Sequence, residues 1–307
     1  IGAMTKGLHG EELADIGQMK QAGIVAVSDD GRSVENSQVM QRVMIYAHMF
    51  GVTVICHSED SNLSDGGAMN EGALSTMMGL RGISKASEEI MIARDIILSE
   101  RTGIPIHLCH VSTALGVELV RQAKKRGAAV TAETCPHYFT LTEKACEGYN
   151  TMAKMNPPLR NEDDVDAIIQ GLTDGVLDII ATDHAPHHED EKNVEFDQAA
   201  NGIIGFETAL PLAYTTLVKA GHLSMVQLVH RMSKKPAEIL KLDKGELLPG
   251  KMADIIVFNP NESYTIDVGK MVSKSKNTPY HGWPVTGRVT TTIVNGKIVV
   301  RDGKLMT

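Results

Sequence analysis

The chain has 307 residues, a formal net charge of −8, 42% hydrophobic and 22% charged residues, the proportions of an ordinary globular protein with one large or two smaller cores. It is acidic overall and carries no Lys/Arg-rich block, so the phosphate attraction that drives nucleic-acid or anionic-membrane binding is missing and a small molecule is the expected partner. No apolar run reaches the roughly 18 residues of a membrane span, no secretory pattern opens the chain, and Cys56, Cys109, Cys135 and Cys146 form no CxxC pair, which together predict a reduced, cytoplasmic setting.

From residue 24 onward, short β-rich runs alternate with amphipathic stretches, the pattern of βα units and a parallel sheet. The predicted strands are IVAV (24–27), VTVIC (52–56), IPIHLC (104–109), AVTAE (129–133) and LDIIAT (177–182). Between the first two, Val39, Met40, Val43, Met44, Ala47 and Phe50 mark one apolar helical face. A second helix is expected to start near Ser87, with Glu88 and Glu89 at the positive end of its dipole. A third follows Thr113 and stops at Gly127 after Lys124, Lys125 and Arg126. Helical stretches run through 206–240, and then KGELLPGKMADIIVFNP and GRVTTTIVNGKIVVRDGKL turn to short β runs joined by Gly, Pro and Asn. Residues 1–245 are expected to form a βα barrel and residues 246–307 part of a small β domain.

The chemistry falls at the strand ends. Asp30 follows AVSD, His57 ends VTVICH, His110 ends IPIHLCH and Asp183 ends LDIIATD. In a (β/α)8 barrel the carboxyl ends of the strands converge on one face, where active sites of that fold lie. Imidazoles and carboxylates are the ligand set of Zn²⁺. Singly, each residue has a plainer role as a loop histidine, a turn or a helix cap, but four coincidences on successive units favour a metal centre. Among the other histidines, His137 lines the pocket or simply packs. His107, an odd number of positions from His110, is expected to face the helices. His184 and His188 are expected to be bystanders.

With these residues in view, the chain resembles the bacterial class I dihydroorotases of the amidohydrolase superfamily along essentially its whole length. The motifs are AVSDDG (26–31), ICHSED (55–60), HLCHVST (107–113), TAETCPHYF (131–139), KMNPPLR (154–160), IIATDHAPH (179–187), GFETALPL (205–212), LPGKMADI (248–255) and KSKNTPYHGWP (274–284). The resemblance implies a distorted TIM-type (β/α)8 barrel of the α/β class with a small β-rich domain. It also implies two zinc ions per complete site, with His57 and His110 on one, Asp183 on the other, and Asp30 where many relatives have a carboxylated lysine. Asn156, His187 and the Asn201–Gly202 pair match substrate-contacting positions, although Phe is common where Asn201 stands. The implied reaction interconverts N-carbamoyl-L-aspartate and dihydroorotate in pyrimidine biosynthesis, with Asp183 carrying the proton.

Members of that group also carry an HxH pair on the first barrel strand, and none occurs in this sequence. IGAMTKG resembles the end of a third strand, so roughly the first hundred residues of such a protein are expected to be missing, at about 40 residues per βα unit. The isolated chain is then expected to be poorly stable and inactive. Two other readings compete: a hydantoinase- or allantoinase-like cyclic amidohydrolase, opposed by Asp30 and KNTPYHGWP, and a non-catalytic partner of aspartate transcarbamoylase, opposed by the four retained ligands. Homo-oligomerisation and a transcarbamoylase partner accompany the resemblance.

Overall fold

Val, Ile and Cys at alternating positions need two apolar surfaces to bury them, and the chain supplies these as a parallel sheet backed by helices. The computed structural model describes residues 1–306. The strands Ala26–Val27, Thr53–Cys56, Ile106–Leu108, Val130–Thr134 and Ile179–Ile180 pair in parallel and in chain order, as in the wall of a βα barrel. Val54 pairs with Ile106, Leu108 with Ala132, and Thr134 with Ile180. Gly2 bridges Val27 in parallel and adds a further rung at the outer edge.

The intervening helices begin where capping chemistry allows. Asn36 accepts from the Gln38 and Val39 amides at the head of Ser37–Met49, Thr113 caps Ala114–Lys125, and Asn161 caps Glu162–Thr173. The helix expected from Ser87 starts earlier, at Lys85, and runs to Thr102. Ser87 instead donates its hydroxyl to the Asp60 carbonyl. Val43, Met44, Ile92, Ile96, Val117, Val120, Ile168 and Leu172 from these helices form one core with Val54, Cys56, Ile106, Leu108, Val130 and Ala132 of the sheet.

That core corrects the placement of His107. Ile106 and Leu108 both face the helices, so His107 between them points to the opposite face of the sheet. There it meets Thr131 Oγ1 and Glu133 Oε2, each at 2.9 Å. Counting back from His110 failed because the strand ends at Leu108 and His110 has φ +35°, which breaks the alternation.

Residues 209–218 and 225–239 are helical, each with a π-type turn, Tyr214–Val218 in the first and His230–Lys234 in the second. The tail forms a four-stranded antiparallel sheet in which Pro284–Val294 lies between Ile255–Thr265 and Lys297–Arg301. Asn295–Gly296 and Asp302–Gly303 turn its hairpins with positive φ at both residues, the conformation that makes Asn-Gly and Asp-Gly favoured there. Ile266, Tyr280 and Val285 anchor this sheet to a second apolar cluster that includes Cys135, Tyr138 and Met155. No helix among the described residues is long and apolar enough to cross a membrane.

Candidate active site

Asp30, His57, His110 and Asp183 each follow the carboxyl end of a different strand. His110 and Asp183 stand in left-handed backbone, at φ +35° and +47°, a conformation that costs a non-glycine residue of order 1–3 kcal/mol and persists where neighbours over-determine it. The neighbours do so here. Cys109 donates to the Cys56 carbonyl at 3.0 Å and Val111 to the Glu133 carbonyl at 2.8 Å, on either side of His110. Ala181 donates to Thr134 and Ala185 to Ile203, on either side of Asp183.

The first three of these side chains converge. His57 Nδ1 lies 2.9 Å from His110 Nε2 and 3.2 Å from Asp30 Oδ1, and His110 Nε2 lies 3.4 Å from the same oxygen. Ligand atoms about 2.0–2.1 Å from a tetrahedral metal stand roughly 3.3–3.4 Å apart, so the triangle has nearly the spacing of three corners of a zinc coordination sphere. The donor set therefore fits a divalent cation. Hydrogen bonds among the same atoms bias their protonation. Burial alone would lower His57, but hydrogen bonds to Asp30 and Glu59 outweigh it and lift the ring to about 9. His110 is raised in the same contest between burial and Asp30. Asp30, bonded to both rings, is held well below the usual carboxylate range.

Glu59 was missed by sequence reasoning. Its Oε2 accepts from His57 Nε2 at 2.9 Å and from Asn156 Nδ2 at 2.9 Å. Burial raises this carboxyl, but the bonds from His57 and Asn156 bring it down to about 2. A carboxylate on the far nitrogen fixes the ring's tautomer and leaves Nδ1 free to ligate. The available signal was a glutamate two residues beyond a candidate ligand in CHSED. An open cavity of about 560 Å³ borders Glu59 and is also lined by His9, Arg32 and Ser33, a volume suited to a small molecule.

Asp183 lies with Cys135 and His137, their ligand-type atoms all within 4.8 Å of one another. Burial raises its carboxyl, His110 opposes, and the carboxylates of Asp30 and Glu133 add to the rise. His137 is 1% exposed, burial and His110 press it down to about 3, and its Nε2 has no hydrogen-bond partner. The remaining predicted residues fall into two places. Asn156 reaches the His57 end through Glu59. His187, Asn201 and Gly202 lie together: His187 Nε2 is 2.8 Å from the Asn201 carbonyl, and Asn277 bonds both the His187 amide and the Gly202 carbonyl. His184 stacks on Phe206 with ring centroids 3.8 Å apart, and exposed His188 caps the Glu189–Lys192 turn.

A parallel α/β wall with histidines and aspartates gathered at its carboxyl rim is the arrangement of a βα-barrel enzyme, whose active sites lie at that rim. The amidohydrolase family pattern matches residues 4–299. The chain is 60% identical over 306 residues to the dihydroorotase of Acetivibrio thermocellus and 59% identical to that of Ruminiclostridium cellulolyticum, in each case covering all of this chain and 72% of the relative. Among solved structures it resembles the L-hydantoinase of Arthrobacter aurescens, with a TM-score of 0.87, 26% identity, and coverage of 100% of this chain and 70% of that one. The dihydropyrimidinase of Brevibacillus agri shares the fold at a TM-score of 0.84 and 24% identity, covering 94% of this chain and 66% of that one. The chain belongs to the amidohydrolase family, among its dihydroorotases, and is a hydrolase.

Proposed function

We propose that the protein is a zinc-dependent cyclic amidohydrolase that interconverts N-carbamoyl-L-aspartate and (S)-dihydroorotate, with Asp30, His57, His110 and Asp183 as metal ligands of a two-zinc centre. The observation that carries the metal reading is the Asp30–His57–His110 triangle with its 2.9, 3.2 and 3.4 Å edges. The substrate follows from the identity of about 60% to dihydroorotases, against 26% to the hydantoinase that shares the fold. A hydantoinase-like activity is accordingly the weaker reading.

Zinc bound at these residues supplies a water of lowered pKa and polarises the amide carbonyl. Asp183, whose carboxyl is raised by burial and by its carboxylate neighbours, accepts the proton of the attacking water and delivers it to the ring nitrogen as the C–N bond breaks. In the synthetic direction the same carboxylate takes the proton from the carbamoyl nitrogen. Glu59 holds the His57 ring through Nε2, and Asn156, His187, Asn201 and Gly202 form the substrate contacts. The same proposal takes the working enzyme to be a cytoplasmic homo-oligomer, with aspartate transcarbamoylase as an expected partner.

The test is Asp183→Asn in the full-length, metal-loaded protein. Ring opening of dihydroorotate should fall by about 10²–10⁴-fold, the span ascribed to a positioned acid–base group, while the circular dichroism spectrum is retained. A substrate panel with hydantoin and allantoin separates the competing reading. Near-normal turnover by the variant, or preference for hydantoin, would reject the assignment.

A further inference from the structure

The segment KSKNTPYHGWP lies outside the proposed chemistry, yet one of its residues reaches the substrate end of the site. Asn277 is 3% exposed. Its Nδ2 donates to the Ala185 carbonyl at 2.9 Å and to the Gly202 carbonyl at 3.1 Å, and its Oδ1 accepts from the His187 amide at 3.2 Å. Its backbone carbonyl accepts from the Ile204 amide at 3.0 Å. Both N–H donors and the carbonyl of the side-chain amide are therefore engaged at once.

We infer that Asn277 is a positioning residue that clamps the 185–187 and 202–204 loops and so fixes the substrate pocket; the inference rests on reading His187 and Gly202 as substrate contacts. The two loops approach closely. Gly202 has φ +107°, and a Cβ there would stand 2.5 Å from the Ala185 Cβ. Ala185 also donates to the Ile203 carbonyl at 2.8 Å, and His184 bridges Ile203 in parallel. That close pairing brings the Ala185 and Gly202 carbonyls onto a single donor group, and a buried carbonyl without a donor carries the desolvation penalty of an unmet hydrogen bond. Asparagine answers the arrangement because it carries two donors and one acceptor on a short stem. Aspartate has the acceptor but no donor, and glutamine is one methylene longer. The clamp comes from the far end of the chain, so the geometry of the pocket loops depends on a residue 75 positions beyond Gly202.

The experiment compares the metal-loaded wild type with Asn277→Ala, Asn277→Asp and His187→Ala. Loss of the three side-chain bonds is expected to raise KM for dihydroorotate roughly tenfold, with kcat within about twofold and zinc content unchanged. Asn277→Asp, which sets a carboxylate against two carbonyls, should be impaired at least as much, and it carries the test if Asn277→Ala does not accumulate as folded protein. Hydrogen exchange should quicken in peptides covering 183–188 and 200–206 and stay unchanged across 106–134. Loosened loops with an unchanged KM would overturn the inference, as would a loss of kcat and zinc together with faster exchange throughout the chain. A raised KM in His187→Ala but not in Asn277→Ala overturns the clamp alone. An unchanged KM in His187→Ala overturns the substrate-contact reading and the clamp with it.

Discussion

Glu59→Gln removes one negative charge and little volume from behind His57. The carboxylate's Oε2 takes bonds from His57 Nε2 and Asn156 Nδ2, each at 2.9 Å, so one oxygen both orients the ring and holds Asn156, the proposed substrate contact. His57 stands at about 9 against an ordinary value of about 6.5, a preference for the protonated buried ring worth on the order of 3 kcal/mol. Burial opposes that preference, Asp30 is its larger source, and Glu59 is the other. Zinc can bind only the neutral Nδ1, so below the folded pKa it displaces a proton from this ring, which by itself makes its affinity climb about tenfold per pH unit until about 9. In Glu59→Gln the climb should end at lower pH, and zinc affinity above pH 9 should drop roughly 10–100-fold, the usual effect of losing a carboxylate behind a ligating histidine. The metal-free protein gives an independent reading. A raised histidine pKa contributes stability that is fully present below about 6.5 and lost as pH rises through about 9, and the variant should show a smaller slope that ends at lower pH. Chelator competition for zinc and urea unfolding of the metal-free protein, each from pH 6 to 9.5, make the measurement. Equal affinity and an equal break point in the two proteins would refute the role given to Glu59.

The remaining predictions concern the frame. Arg160 and Glu88 are a buried pair 3.3 Å apart, with Arg160 also bonded to Ser112 and Asn70; Arg160→Leu leaves the Glu88 carboxylate buried without its counter-charge and should cost about 3–5 kcal/mol in urea unfolding, and a loss below about 1 kcal/mol would contradict that account. Leu108 is fully buried in the helix-side core, and Leu108→Ala should cost about 2–5 kcal/mol by the same measurement. Burial, opposed by Arg94, raises Asp95 to about 6 from an ordinary value of about 3.9. A raised carboxyl favours the folded state at low pH, so this group's contribution is lost as pH climbs from about 4 to 6, by up to about 3 kcal/mol. Asp95→Asn should therefore gain stability relative to wild type as the pH rises from 4 to 7, and a constant difference between the two would exclude it.

Much of this was legible because side-chain chemistry and backbone period agree. Hydrophobic period and caps located Ser37–Met49 and Ala114–Lys125, and turn chemistry announced the Asn295–Gly296 hairpin. Strand limits were read too long: IPIHLC suggested 104–109 where pairing covers Ile106–Leu108, because β propensity persists after the chain has left the ladder. The start of the Lys85–Thr102 helix was misplaced since Ser87, the apparent cap, is spent on Asp60. Glu88 does stand in that helix's first turn, but it lies buried and also accepts from Ser112 and Thr113. Contacts between distant segments, such as Glu59 with Asn156 or Asn277 with Gly202, have no periodic signature at all.

The least legible feature is also the one that shapes the site. A strand read with strict alternation sends His107 and His110 to opposite faces and puts His107 on the helix face. The left-handed backbone at His110 breaks that rule and lets its Nε2 come within 2.9 Å of His57 Nδ1. Asp183 shares the same strained conformation on the last strand. Ordinary extended backbone would continue each strand's alternation past its last rung. Two turns costing of order 1–3 kcal/mol each interrupt it at the rim, and the neighbouring strands supply the hydrogen bonds that hold them, from Cys56 and Glu133 beside His110 and from Thr134 beside Asp183. The sheet thus does more than bring the strand ends near one another: its ladder fixes the backbone flips that decide which way those ends point.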